Sequence, residues 1–314
     1  MHLVIPNAAP PGPQCQAALD RLELPHLRQV LRALTLDSEL QGNASDLSPL
    51  AERVQTGDAY TDGLIPWAAL HAKQLSGAPA GAAWGLVTPC HWVVHADHVA
   101  MHDPRTLRLE AAESQALMEA MAPYFLEDGL TLHYWQADTW LVRGDVLRGL
   151  PTASLERVRG QPVDAWLPRA AAARLVRRLQ NEMQMLLYTH PINDARAARA
   201  VAVVNSFWLS GTGDLPKNGP QPEGTTVHDE LQTSARNDDA ASWLQAWQAL
   251  DSGPVAQWAQ ALRQEPSTDP GPLPALTLCS ERTACTWRMH PQSLLRKIQT
   301  ALHRPSPTSV LKAL

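Results

Sequence analysis

A strand–strand–helix–strand–strand order in residues 84–143 is the feature that most constrains the fold. Residues 84–102 contain β-branched and aromatic runs that predict a strand and a hairpin, and residues 130–143 predict a second hairpin. Residues 109–124 lie between them and place alanine, leucine and methionine at helical spacing, which predicts an amphipathic helix. This order is typical of an α+β module, which we expect to end in the proline-bounded residues 162–168.

Helix and strand patterns also alternate outside this module. Further strands are predicted at residues 1–6, 203–209 and 274–279. Helical spacing of apolar residues predicts helices at residues 14–34 (divided at Pro25), 66–70, 170–188, 194–200, 240–250, 255–263 and 291–303. Residues 214–237 are rich in proline, glycine and asparagine, which predicts a linker or a long loop.

Composition and charge exclude several classes of protein. The chain has 314 residues, enough for one large domain or two of ordinary size, and its 45% of apolar residues exclude general disorder. The net charge of −5 argues against nucleic acid or an anionic membrane surface as the main partner. The longest apolar stretches fall far below the roughly 20 residues that cross a bilayer, so we expect no membrane partner.

The first residues and the cysteines indicate the compartment. Residues 1–6 have no basic region of the kind that begins a signal peptide. The four cysteines, at positions 15, 90, 279 and 285, form no CxxC pair, so neither a zinc ribbon nor a disulfide framework is implied. We therefore expect a reduced protein of the cytoplasm.

Four histidines close together are candidate metal ligands: His91, His95, His98 and His102. Their spacing of four, three and four residues suits metal ligands on a helix. The valines among them favour strands instead, in which residues two apart share a face. The cluster is therefore either a metal site or the polar face of a half-exposed hairpin.

Two further patterns suit an anion. Asn193 and Arg196 follow a proline that ends a helix; an arginine there can bind phosphate or carboxylate, or the pair can cap and fasten the next helix. Ser210-Gly211-Thr212-Gly213 follows a predicted strand, and its main-chain N–H groups could hold a phosphate. Because it lacks the lysine of a P-loop and the third glycine of a dinucleotide site, a structural turn is the alternative.

Residues 83–213 resemble the central region of the cofactor-independent phosphoglycerate mutases, especially their archaeal-type branch. The two most specific segments are His190-Pro191-Ile192-Asn193 with Arg196, and Val204-Asn205-Ser206-Phe207-Trp208-Leu209-Ser210-Gly211-Thr212-Gly213. They match the family's His-Pro-Val-Asn-x-x-Arg and Ala-Asn-x-Ile-Trp-x-x-Gly-x-Gly. Along its whole length the chain also resembles a group of bacterial RpfE-type regulatory proteins.

The resemblance implies an α/β fold of the alkaline-phosphatase type. A reduced core would comprise residues 1–83 and 169–314, with residues 84–168 as an inserted α+β module similar to the family's substrate domain. Trp140 stands where the family has a substrate-binding arginine. The ligand-binding residues that the resemblance implies are Asn193, Arg196, Asn205, Gly211, Gly213 and Trp140.

The chain departs from the family where the metals bind. The mutases hold two divalent metals, which would be Mn²⁺ or Zn²⁺, with an aspartate after the first strand, a serine nucleophile and later aspartates and histidines. Here the first strand ends Ile5-Pro6-Asn7, and the last predicted strand ends Cys279-Ser280-Glu281 where the family has Asp-His. We therefore expect no cofactor, and we name no catalytic residue.

Three functions remain open. The first is a catalytically degenerate, phosphoglycerate-mutase-like pseudoenzyme that acts as a regulatory protein or binds a small phosphorylated or carboxylate ligand. The second is an active mutase or a related metal-dependent phosphotransferase with relocated ligands. These would be Asp37, Asp46, Asp58, Asp62, His71 and the four clustered histidines. The third is a structural protein with a protein partner, which would expose a large patch of tryptophan and leucine.

Overall fold

The computed structural model describes residues 1–169, 173–216, 224–263, 273–289 and 306–314. These residues form two compact units. Unit 1 comprises Met1–Ser45, Leu50–Gly57 and Pro222–Leu314, and unit 2 comprises Asp46–Pro49 and Asp58–Gln221.

Strands and helices alternate through both units. The described strands are β1 (His2–Ala9), β2 (Thr35–Gln41), β3 (Trp84–Cys90), β4 (Trp92–Val94), β5 (Val99–Met101), β6 (Thr131–Gln136), β7 (Thr139–Arg143), β8 (Ser206–Gly213), β9 (Thr225–Val227), β10 (Ala275–Ser280) and β11 (Thr283–Arg288). The described α-helices are α1 (Pro13–Ala18), α2 (Pro25–Ala33), α3 (Leu50–Arg53), α4 (Trp67–Ala72), α5 (Ala111–Glu127), α6 (Leu155–Val158), α7 (Ala173–Tyr188), α8 (Pro191–Ala198), α9 (Gln232–Arg236), α10 (Ala240–Leu250), α11 (Ala256–Ala261) and α12 (Pro307–Ala313).

Unit 1 is built on a five-stranded sheet in the order β2-β11-β10-β1-β9. β1 is parallel to both neighbours, with Val4 opposite Thr277 of β10 and Val227 of β9. β11 is antiparallel to both β10 and β2. The parallel strands β9, β1 and β10 therefore end at the same edge of the sheet.

Helices cover both faces of this sheet. Successive side chains of a strand point to opposite faces. Accordingly, Leu3 and Ile5 of β1 pack in a core with α1, α2, α10, α11 and α12, whereas Val4 packs with α3. A mixed sheet between helical layers confirms the predicted α/β class.

Unit 2 is built on an antiparallel sheet in the order β6-β7-β3-β8, and β4 and β5 form a separate hairpin. Trp140 of β7 and Phe207 of β8 pack against α5 and α7 on one face. Trp84 packs against α4 on the other face, and Trp208 packs there with Val158 of α6. Both hairpins and the long helix α5 were expected from the strand–strand–helix–strand–strand pattern and are confirmed.

Unit 2 is larger than the predicted insertion of residues 84–168. α7, α8 and β8, which the sequence assigns to the core, lie in unit 2. The reason is strand pairing, because β8 runs antiparallel along β3 from Gly213 opposite Trp84 to Ser206 opposite Cys90. Sequence patterns predict strands but not the partners of those strands.

Residues 214–237, predicted as a linker or a long loop, contain regular structure. Within them β9 pairs with β1, and α9 follows. A strand of 3 residues and a helix of 5 residues are too short to show a hydrophobic period. The helix predicted at residues 291–303 lies outside the described residues. None of the described helices has the length and apolar character needed to cross a membrane.

Candidate functional site

Asn193 fastens α8 to the strands of unit 2. Its side-chain amide donates to the carbonyls of Leu187 and Val204, each at 2.7 Å, and its oxygen accepts the N–H of Val204 at 2.9 Å. The side chain is buried. Both amide hydrogens and the oxygen are therefore bonded to main-chain groups. Of the two predicted roles, anion binding and fastening of the helix, this arrangement corresponds to the second.

Arg196, one turn further along α8, is only 1% exposed. Its Nε donates to the carbonyl of Ala202 at 2.9 Å, one terminal nitrogen to the Glu113 carboxylate at 2.5 Å, and the other to the carbonyl of Leu107 at 2.5 Å. The planar guanidinium has donors in several directions and so can join three separate segments. Here it ties α8 to the start of α5 and to the turn before it.

Glu113 is the shared acceptor of this arrangement. Besides Arg196, it accepts from the exposed Arg199 and from the main-chain N–H of Glu110 at 3.4 Å. Burial alone would raise the pKa of Glu113, but the hydrogen bonds from Arg199, Glu110 and Arg196 outweigh it and hold the pKa below its usual value. The carboxylate therefore stays ionised at neutral pH.

Asn205 and Trp140 are also engaged within unit 2. The Asn205 side chain accepts the N–H of Trp92 at 2.7 Å and donates to the carbonyl of the same residue at 2.8 Å, as a neighbouring strand would. Trp140 is completely buried, and its Nε1 donates to the Ser114 hydroxyl at 2.8 Å. Trp140 thus lies in the core of unit 2, whereas the resemblance implied that it lies in a ligand cleft.

Gly211 and Gly213 lie inside β8, so the turn predicted for residues 210–213 is wrong. Both have positive φ, +59° and +133°. The pairing of β8 with β3 shifts register at this point, which is how a strand accommodates such glycines without reversing direction. A Cβ on Gly211 would come within 3.0 Å of the Trp67 Cβ, so the space beside it is already filled.

The four histidines of the cluster lie on and beside the β4–β5 hairpin as two pairs. The rings of His95 and His98 stack with centroids 4.6 Å apart, and those of His91 and His102 meet edge to face at 6.1 Å. His98 also contacts Asp97 at 2.7 Å. Among the described residues, no three histidine, cysteine, aspartate or glutamate side chains are grouped so as to hold a metal ion.

Among the described residues, the other candidates for a relocated metal site (Asp37, Asp46, Asp58, Asp62 and His71) belong to no group of three or more possible metal ligands either. Asp37 lies in unit 1 and pairs with Arg288 at 2.9 Å. Asp62 lies in unit 2, where it accepts the main-chain N–H groups of Leu47 and Ser48 at 2.8 Å. Each carboxylate thus has a local structural role.

A cavity of unit 1 lies at the carboxyl ends of the parallel strands β1 and β10. It measures about 530 Å³, a size suited to a small molecule. Ligands of α/β proteins commonly bind outside this edge of the sheet. Its walls are Ala9, Pro10, Pro11, Gln16, Leu19, Ser280, Glu281, Arg282, Leu311, Lys312 and Leu314.

The end of β1 has an irregular backbone that shapes this cavity. The pairing with β10 shifts between Ile5 and Ala9, and Asn7 has a positive φ of 56°. The bulge turns the carbonyls of Asn7 and Ala8 away from the ladder. Both accept from indole nitrogens of α10, Trp243 at 3.4 Å and Trp247 at 3.3 Å. Two buried tryptophans therefore hold the strand end that leads into the cavity wall.

Another part of the wall is the two-residue turn between β10 and β11. Ser280 accepts the N–H groups of Arg282 at 3.3 Å and Thr283 at 3.0 Å, which fixes the turn locally. Glu281 is half-buried, whereas the side chain of Arg282 is exposed beside the opening. With Lys312, which pairs with Asp20 at 2.5 Å, the described walls carry two cationic side chains and one carboxylate side chain.

This donor set does not fit a pair of divalent metals. Two-metal sites surround their ions with several carboxylate or imidazole ligands. Among the described wall residues, Glu281 has the only carboxylate side chain, and none has an imidazole.

The residues proposed from the sequence as ligand-binding, and the four clustered histidines, lie in unit 2, whereas the cavity lies in unit 1 and has none of them in its described walls. One feature of the sequence could have pointed to the cavity: Glu281 and Arg282 directly follow a predicted buried strand. Nothing in the sequence shows that β10 lies beside β1.

No protein-family model matches the chain, and no curated protein matches it. Solved structures do. A cofactor-independent phosphoglycerate mutase from Thermoplasma acidophilum DSM 1728 is 14% identical, with a TM-score of 0.37 over 94% of this chain and 90% of that one. The PH0037 protein from Pyrococcus horikoshii is 11% identical, with a TM-score of 0.43 over 92% and 87%.

Proposed function

We propose that this protein is a non-catalytic relative of the phosphoglycerate mutases that binds a small phosphorylated or carboxylate ligand in the cavity of unit 1. The observation that carries the proposal is the placement of Arg282 and Lys312 around a cavity at the carboxyl ends of β1 and β10. Both side chains can donate charge-assisted hydrogen bonds to an anion.

The lack of catalysis is part of the proposal and rests on the donor set. A mutase of this type needs two cations to neutralise a phosphoryl group and to activate its nucleophile. The described walls of the cavity offer one carboxylate side chain for that purpose, Glu281. A regulatory, RpfE-type role in the cytoplasm belongs to the same proposal and is supported by the sequence resemblance alone.

No observation favours a purely structural partner protein. Such a protein would expose a patch of tryptophan and leucine. The exposed large apolar side chains of the described residues include Leu36, Leu126, Met185 and Tyr188, but no tryptophan. The described tryptophans are buried or half-buried.

The experiment is calorimetric titration of the full chain with inorganic phosphate and, separately, with 3-phosphoglycerate. We expect binding, and an Arg282→Gln variant should bind about fivefold more weakly, since an exposed charge pair contributes at most about 1 kcal/mol. Arg28→Gln, which removes an exposed arginine of α2 outside the cavity, is the matched control and should bind as the wild type does.

Two measurements would overturn the proposal. One is the absence of binding of either compound at millimolar concentration. The other is the finding of two tightly bound Mn²⁺ or Zn²⁺ ions in protein purified without chelator, together with turnover of 3-phosphoglycerate. The first outcome removes the ligand site, and the second shows an active enzyme.

A further inference from the structure

Helix α12 forms one wall of the cavity. Leu311 and Lys312 of this helix, and Leu314 directly after it, all line the space. The remaining walls come from the residues after β1, from the first helical segment and from the β10–β11 turn. A change in the docking of α12 therefore changes the site itself.

Among the described residues, apolar packing and polar contacts attach α12 to the rest of unit 1. Val310 and Leu314 pack against the core beside Leu311. Leu311 is buried in the core, and the Ser280 hydroxyl lies 2.9 Å from the main-chain oxygen of Leu314. The Lys312 ammonium pairs with Asp20 at 2.5 Å. A helix of 7 residues is not stable alone in water, so α12 stays helical only while it is docked.

The ion pair of Lys312 is easily exchanged. The side chain of Lys312 is 48% exposed and that of Asp20 is 70% exposed. Exposed pairs of this kind contribute roughly 0–1 kcal/mol. An anion in the cavity can therefore compete with Asp20 for the ammonium at little cost.

We propose that α12 is a ligand-linked wall: an anion bound between Lys312 and Arg282 ties α12 to the β10–β11 turn and holds it docked. The inference rests on the proposed function, because it concerns the same site. Ligand binding and helix docking are then coupled, so each strengthens the other by the same factor. Any factor that loosens α12 weakens the ligand, which makes the helix a regulatory element.

Hydrogen exchange measured by mass spectrometry on the full chain tests this coupling. With 3-phosphoglycerate at saturation, exchange in the peptide that covers residues 306–314 should slow about fivefold. In Lys312→Gln the ligand should still bind through Arg282, but it should no longer slow hydrogen exchange in this peptide. Lys73→Gln, which removes an exposed lysine of unit 2, is the matched control and should behave as the wild type.

A second variant tests the competition without disturbing the core. Asp20→Asn frees Lys312 from its pair. Because that exposed pair contributes little to the docking of α12, the net effect should be binding of 3-phosphoglycerate that is about twofold to threefold tighter, and unchanged or weaker binding would refute the competition. Glu23→Gln, three residues along the chain, also removes an exposed carboxylate but lies outside the cavity. We expect it to leave the affinity unchanged.

The outcomes separate the two proposals. If calorimetry shows no binding to the wild type, both the ligand site and the coupling are overturned. If the ligand binds and slows exchange at residues 280–283 but does not change exchange at residues 306–314, the proposed ligand site is supported and its coupling to α12 is refuted. If the ligand slows exchange at residues 306–314 equally in Lys312→Gln and in the wild type, the coupling through Lys312 is refuted as well.

Discussion

Replacing Arg196 with methionine should strongly destabilise unit 2. Methionine keeps much of the apolar stem of arginine and removes only the guanidinium. Three acceptors lose their donor at once: the carbonyls of Leu107 and Ala202, and the Glu113 carboxylate. Glu113 would keep its contact with Arg199, which is half exposed.

The expected loss follows from the burial of the site. Arg196 is 1% exposed and the side chain of Glu113 is 15% exposed. Breaking a buried pair by removing one partner costs about 3–5 kcal/mol, because the other charge stays behind without its partner. The matched variant Arg199→Met removes an arginine that contacts the same carboxylate but is 51% exposed. It should cost no more than about 1 kcal/mol.

Hydrogen exchange at the peptides of α8 and β8 reports this loss within unit 2, and the peptides of β10 in unit 1 serve as an internal control. Three kcal/mol corresponds to exchange that is on the order of a hundredfold faster. A change of less than fivefold at α8 in Arg196→Met would refute the reasoning. So would an equal effect of Arg199→Met, because burial would then not decide the cost.

Three further predictions follow from single contacts. Trp140→Phe leaves the Ser114 hydroxyl without its donor in the core, and should lower the free energy of unfolding in urea by about 1–3 kcal/mol. Adding Ser114→Ala should recover part of that loss. No recovery would contradict the role of this hydrogen bond. Burial and the nearby Arg288 lower the pKa of His2 to about 4, so its contribution to stability should fall as pH drops from 6.5 towards 4, where only the unfolded chain takes up the proton. His2→Gln should therefore show a shallower slope in this range, and an unchanged slope would contradict it. The pKa of Glu113 is lowered by its arginine and main-chain partners despite burial. The stability that this carboxylate contributes is present above the unfolded pKa near 4.3 and should be lost on further acidification. An unchanged acid transition in Glu113→Gln would disprove this.

Local patterns predicted most elements of the fold. Pro25 does divide two helices, since it begins α2, and α5 begins with the capping box formed by Glu110 and Glu113. β2 was missed because its exposed acidic and polar residues carry no apolar alternation. Turn chemistry misled at Gly211, where a positive φ produces a register shift inside a strand and not a reversal of the chain.

The candidate site was harder to predict than the fold. Asn193 and Arg196 were predicted either to bind an anion or to fasten a helix. Their side-chain donors bind main-chain carbonyls of unit 2 and, for Arg196, also the Glu113 carboxylate. Residue type alone cannot separate the two uses, because an amide or a guanidinium binds a carbonyl and an anion with the same donors. Arg282 and Lys312 are far apart in sequence and line one cavity only because β10 and α12 meet at the same sheet edge.

The high tryptophan content has a structural reason that links the core to the candidate site. The chain has 11 tryptophans and only 2 phenylalanines. Indole nitrogens donate to main-chain oxygens at irregular points of the backbone, as Trp208 does to Ala153 at 2.9 Å and Trp243 and Trp247 do at the bulge of β1. A phenylalanine is smaller and has no N–H group, so it would not supply those hydrogen bonds. Since the bulge of β1 leads directly into the cavity wall, the tryptophans of α10 determine the geometry of the proposed anion site without lining it.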